Sequence, residues 1–199
     1  MKAFNGFKAE ANTKKGGPLP AGPYVARIKK VWIEGQEPDQ QLVLRVDVCE
    51  GPYTDYFLNR YLRERDKSRY EPKYKGDYKL RIPNEANTKA LYPDTDKRTF
   101  NDATYRIEES NPGYRIEFDE NGNWDEQTLV GKYIGINMQL SEYNGYPFTK
   151  IARLEIAGDV RKGIVKEMPP KVPKGDAYDT PQIDQQTGFT AVETEDLPF

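Results

Sequence analysis

The sequence contains no histidine, so no triad, general base or zinc site that depends on imidazole can be assembled from it. It has a single cysteine, Cys49, which excludes an internal disulfide framework and thiolate metal clusters. No apolar run approaches the roughly 20 residues of a membrane-spanning helix. The opening stretch MKAFNGFKAEANTKK lacks the apolar segment of a secretory signal. These absences point to a cytoplasmic protein with no membrane association, no cofactor and no bound metal. Catalytic chemistry could still come from carboxylates holding a divalent metal.

Hydrophobic residues make up 36% of the chain, too few to build a core over its whole length. The 15 prolines and 16 glycines gather towards both ends, which suggests a folded middle and loose termini. Tyrosine is abundant, with 14 against 8 Phe and 2 Trp. Its flat apolar ring and polar tip suit half-wet surfaces. The net charge of −2 conceals an asymmetry. Residues 176–199 carry six acidic side chains and no basic one, leaving residues 1–175 with 30 basic against 26 acidic, a net of +4. A mildly basic body suits a polyanionic partner, and an acidic tail keeps the whole in solution.

Apolar periodicity divides the chain into an arm (1–22), a folded domain (23–158), and a Pro-rich linker with an acidic tail (159–199). Residues 24–33, YVARIKKVWI, are β-branched and aromatic between Gly22-Pro23 and Gly35, and are expected to form strand one. In residues 41–50 Leu42, Leu44, Val46 and Val48 alternate with Val43, Arg45, Asp47 and Cys49, the period of a half-buried strand. Residues 56–63, YFLNRYLR, are read as strand three. Residues 64–98 are charged, Tyr-rich and interrupted by Pro72, Pro83 and Pro93. They are read as an insertion, with a short strand at 77–82 and a short helix near 86–91. Residues 99–111 are expected to be helical, with Thr99 and Asp102 as a capping box and Phe100, Ala103 and Ile107 on one face. Asn121-Gly122 marks a hairpin turn. Residues 129–141 and about 147–157, joined across Asn144-Gly145, are strands four and five. The expected fold is mainly β: a five-stranded OB-type barrel with one helix between strands three and four, an insertion after strand three, and disordered termini.

The chain closes on Glu195, Asp196, Leu197, Pro198 and Phe199. Such an end can seat the Phe199 ring in an apolar pocket while a basic side chain takes the neighbouring α-carboxylate, and cations on the rim meet Glu195 and Asp196. Pro198 restricts the peptide and lowers the cost of ordering it. This tail resembles that of bacterial single-stranded-DNA-binding proteins. The body resembles phage and prophage relatives of that class in LPAGPYVARIKKVWI, EESNPGY and LVGKYIG. The resemblance implies an OB-fold that binds single strands with little sequence preference. It also implies a tail that recruits replication, recombination and repair proteins. A homo-oligomer is left open.

A single-strand binder needs cations for phosphates and flat rings for bases. Residues 57–81 hold nine basic side chains against four acidic ones, interleaved with Tyr61, Tyr70, Tyr74 and Tyr78. On the strand assignment above, the candidate nucleic-acid-binding residues are Trp32, Arg45, Arg60, Tyr61, Arg63, Tyr70, Lys73, Tyr74, Tyr143, Tyr146 and Lys150. Two other classes compete. Glu71-Pro72-Lys73 with Asp39 upstream is a weak echo of a metal-dependent nuclease, but Pro72 suits no central strand. DENGNWDE fails the Ca2+-loop spacing, since its glycine stands fourth and not sixth. An OB-like structural or adaptor domain of a phage, with no nucleic-acid role, is the other alternative. No enzymatic activity is expected.

Overall fold

A computed structural model describes residues 18–37, 39–83, 93–120, 123–143 and 146–171. Its elements in order are β1 (Gly22–Glu34), β2 (Gln41–Val48), α1 (Tyr56–Lys67), β3 (Asp77–Arg81), α2 (Pro93–Ser110), β4 (Tyr133–Tyr143), β5 (Tyr146–Glu155) and α3 (Ala157–Arg161). The strands form one antiparallel sheet in the order β3-β2-β1-β4-β5, curled into a nearly closed barrel.

Strand β1 makes the curl possible because it is shared. Its first half, Gly22 to Arg27, pairs with β4 from Met138 to Tyr133, and its length from Ala26 to Glu34 pairs with β2. A register shift between Ile28 and Lys30 bends the strand where it passes from one neighbour to the other. The core face predicted for β2 is the one observed, but the strand is not half-buried, because Val43 and Asp47 on the other face are buried as well. Leu42, Leu44, Val46 and Val48 face inward with Ala26, Ile28 and Val31 of β1, Ile134, Ile136 and Met138 of β4, and Leu154 of β5. Each Val, Leu, Ile or Met among them contributes about 1.5–3 kcal/mol on burial. Leu140, next in the β4 series, is exposed because β4 there runs past the end of β1.

Residues 56–63 are not strand three. They open helix α1, and the third strand is β3, at residues read as a minor part of an insertion. The cause lies outside the segment. The Asp47 carboxylate on β2 accepts the backbone N–H groups of Phe57 (3.0 Å) and Leu58 (2.9 Å), capping α1 from another element. Asp55, at the cap position itself, takes a left-handed conformation (φ 56°) and offers no side-chain cap. Gly76, just before β3, is required by close approach. A Cβ there would lie 2.3 Å from the Val46 carbonyl oxygen.

Helix α2 begins six residues earlier than the expected Thr99, so Thr99 and Asp102 are interior and form no capping box. The Thr99 hydroxyl donates back to the Thr95 carbonyl, and Asp102 pairs with Arg106 at 2.8 Å. Pro93 supplies the start instead, because a first-turn residue needs no N–H partner. Ala103 and Ile107 enter the core as expected. Arg106 reaches Glu155 at the end of β5 (2.5 Å), which ties the helix to the strand. Asn111 ties the end of α2 to β4. Its side chain donates to the Ile107 and Tyr133 carbonyls and accepts the Tyr133 N–H, at 2.7–2.8 Å.

Residues 126–129 form a 3-10 turn, so strand four starts at Tyr133 and not at 129. Residues 114–118, which lead to the expected hairpin turn at Asn121-Gly122, contain no strand. The packed body continues to Lys171. Beyond α3 the chain returns along β4, where Asn137 donates to the Lys166 carbonyl (2.9 Å), Gln139 to that of Pro169 (2.8 Å), and the Lys171 N–H to that of Leu140 (2.8 Å). Most of the arm, the proposed helix near 86–91, the Asn121-Gly122 and Asn144-Gly145 turns, and the tail with Glu195 to Phe199 lie outside the described residues.

Candidate nucleic-acid interface

The outward rows of β1, β2 and β3 are fixed by the register. Lys30, Arg45 and Asp77 stand opposite one another, as do Trp32, Val43 and Lys79. The Arg45 guanidinium forms a two-pronged bond to Asp77 (2.7 and 2.8 Å), which locks its plane. So held, it lies 5.0 Å from the Trp32 ring centroid and 4.6 Å from that of Tyr74. Lys30 approaches the same Trp32 ring at 5.5 Å and has no carboxylate partner among the described residues. Lys79 is engaged by Glu34 at 2.5 Å.

Helix α1 adjoins this cluster. Tyr61 packs on Tyr74 with centroids 5.9 Å apart, and its hydroxyl donates to Glu71 at 2.8 Å. That bond pushes the Tyr61 hydroxyl above its ordinary value. Arg60, Arg63, Glu64 and Lys67 recur at i, i+3, i+4 and i+7, which puts them on one helical face. They form one wall of an open groove of about 680 Å3. Pro147 and Phe148 at the start of β5 line it too, together with Pro18, Ser68 and Pro72. Three cations face one carboxylate there. Glu64 is already held by Arg60 (2.7 Å), and Lys67 has no carboxylate partner among the described residues.

The candidate residues therefore separate. Trp32, Arg45, Tyr61 and Tyr74 come together, and Arg60 and Arg63 line the neighbouring groove. Tyr74, however, offers no face to a base. It is 8% exposed, covered by Arg45, and its hydroxyl donates to Asp47 at 3.0 Å. Burial, and then the Asp47 charge, drive that hydroxyl far above the ordinary tyrosine value. Tyr70 and Lys73 stand exposed on the loop between α1 and β3. Tyr143 ends β4 opposite Tyr146, which is 78% exposed at the start of β5, and Lys150 is exposed further along that strand.

Three residues were missed by reasoning from sequence. Phe148, 39% exposed, alternates with Tyr146 and Lys150 on one face of β5, a period-two signal that was legible. Lys67 was hidden by reading 56–63 as a strand. Lys30 was hidden by the β1 bulge, which breaks simple alternation. Among the described residues there is no group of three carboxylate or cysteine side chains placed to hold a metal ion. No protein-family model matches the sequence, and neither does any curated protein.

Proposed function

We propose that this chain is a single-stranded-DNA-binding protein built on an OB-type barrel, and that its acidic tail docks DNA-processing partners. The strand order β3-β2-β1-β4-β5, with the main helix between β3 and β4, supports the barrel assignment. The observation that carries the function is the groove between α1 and the start of β5. It sets Arg60, Arg63 and Lys67 against the Phe148 ring, beside the Trp32–Arg45 stack. Cations in a row bind phosphates and release counterions, while exposed rings stack on bases of any identity. Strands would bind without sequence readout, because these groups meet the backbone and the ring faces rather than base edges.

The tail reading rests on the terminal Glu195, Asp196, Leu197, Pro198 and Phe199. Its partners are replication, recombination and repair proteins carrying a small, basic-rimmed apolar pocket. The protein acts in the cytoplasm as a binder and not as an enzyme. The test is a fluorescence titration of the full chain with poly(dT). Binding should quench Trp32 emission, and a Trp32→Phe variant should lose most of the quench while Trp124 still emits. Unchanged emission together with no retention on single-stranded DNA would overturn the reading.

A further inference from the structure

A second cationic cluster lies on the outward side of β1, at the end away from Trp32. Arg27 of β1 stands opposite Tyr133 of β4, and its guanidinium lies 4.6 Å from the Tyr133 ring centroid. Arg161 of α3 approaches the same ring at 5.1 Å. Lys132 lies 4.2 Å from the Tyr114 ring centroid. An open groove of about 560 Å3 is lined in part by Gly113, Tyr114, Lys132, Tyr133 and Arg161, and Arg27 adjoins it through the Tyr133 ring.

The charges at this groove are poorly balanced. Arg27 is half-buried, yet no carboxylate pairs with it among the described residues. Its Nη2 donates to the Tyr133 hydroxyl, and its Nε is enclosed with no acceptor. A partly buried cation left without a counter-charge is costly to keep. Lys132 likewise has no carboxylate partner among the described residues. The acids nearby are committed. Asp47, opposite Arg27 on β2, accepts from the Val48, Phe57 and Leu58 N–H groups and the Tyr74 hydroxyl. Glu50 holds Arg161 through Nε and Nη2, which leaves Nη1 of that guanidinium, and Glu108 accepts the Ile116 N–H and pairs with Arg115 (3.9 Å). In the last turn of α2, which borders the groove, the Arg106 and Ile107 carbonyls accept from Ser110 and Asn111, and the cations must outweigh the negative end of that helix.

We infer that Arg27, Lys132 and Arg161 form a phosphate-binding site separate from the α1 groove. Lys29, which pairs with Asp55 at 3.7 Å, and Lys30, which has no carboxylate partner among the described residues, are both turned to solvent at the β1 bulge and lead from it towards Trp32. The phosphate belongs to a single strand that leaves the Trp32 face along β1 and crosses the Tyr133 ring. That source rests on the proposed function, whereas the phosphate site does not.

The test is NMR of the full chain, reading the Arg27 Nε–H and the Lys132 and Tyr133 amides, first with inorganic phosphate and then with a long oligo(dT). Phosphate and oligo(dT) should shift the same three signals. In a parallel binding assay Arg27→Gln and Lys132→Gln should each lower the salt-dependence slope for oligo(dT) by about 0.7, the value of one single-strand phosphate contact. Arg27→Lys keeps the charge and should restore most of that slope, which separates lost binding from a disturbed barrel. Shifts with phosphate but none with oligo(dT) would overturn the strand path and leave a free-phosphate site. Trp32 quenching by oligo(dT) with all three signals unmoved would overturn the site while the proposed function stood.

Discussion

Asp47 shows how one buried side chain decides what its neighbours become. It is 1% exposed, yet its two oxygens accept from the Val48, Phe57 and Leu58 N–H groups and from the Tyr74 hydroxyl. Burial outweighs these bonds and raises its carboxyl above the ordinary 3.8. The native state therefore holds this proton more tightly than the unfolded chain does. The group's contribution to stability is greatest below about pH 4 and is lost as the pH rises through the raised native value. Asp47→Asn turns one acceptor into a donor facing other donors, and should cost roughly 1–3 kcal/mol. Urea unfolding of both proteins at pH 4 and pH 7 checks this. The gap should be wider at pH 4, and an equal gap at both would show that Asp47 does not titrate as its burial requires.

At the scale of elements, the groove depends on α1 being a helix, because only helical spacing gathers Arg60, Arg63 and Lys67 on one wall. The ring on the opposite side should matter as much as the charge. Phe148→Ala should weaken oligo(dT) binding by about 1–3 kcal/mol and leave thermal unfolding nearly unchanged, since the ring is partly exposed and no part of the core. An unchanged affinity would remove the β5 wall from the interface. The same element marks where sequence reading stops. Strands β2, β4 and β5 were legible because each carries its own alternation, β1 because β-branched and aromatic residues stand between Gly22-Pro23 and Gly35, and Ala103 and Ile107 made α2 legible. Helix α1 was not, because its cap comes from Asp47 and the packing partner of its Tyr61 is Tyr74, both distant in sequence. Strand β3 is five residues long and pairs only with β2, so charge hid it inside a supposed insertion. Two residues picked from the Tyr-rich stretch, Tyr61 and Tyr74, do fall beside Arg45, but composition could not tell the exposed ring of Tyr70 from the buried one of Tyr74.

The whole molecule divides its charge. A body of net +4 carries the grooves, and the six acidic residues of 176–199 follow the last described contact of the body at Lys171. On the proposed reading the two parts act independently. Deleting Pro198 and Phe199 should abolish capture of helicase, primase or exonuclease partners in a pull-down while leaving oligo(dT) binding intact. The lost interaction should be of micromolar strength, about −8 kcal/mol, as suits a short peptide ordered on binding. Recovery of the same partners by both forms would reduce the tail to a solubilising end. The central claim is that the basic, ring-lined face binds single strands through their phosphates and base faces. It is tested most directly by titrating the full chain with poly(dT) at several salt concentrations, beside an Arg60→Ala/Arg63→Ala/Lys67→Ala variant. The account predicts Trp32 quenching, affinity that falls linearly with the logarithm of salt, and a slope lower by about 0.7 for each phosphate contact the variant loses. Binding that ignores salt, or a variant with the slope of the unaltered protein, would contradict it.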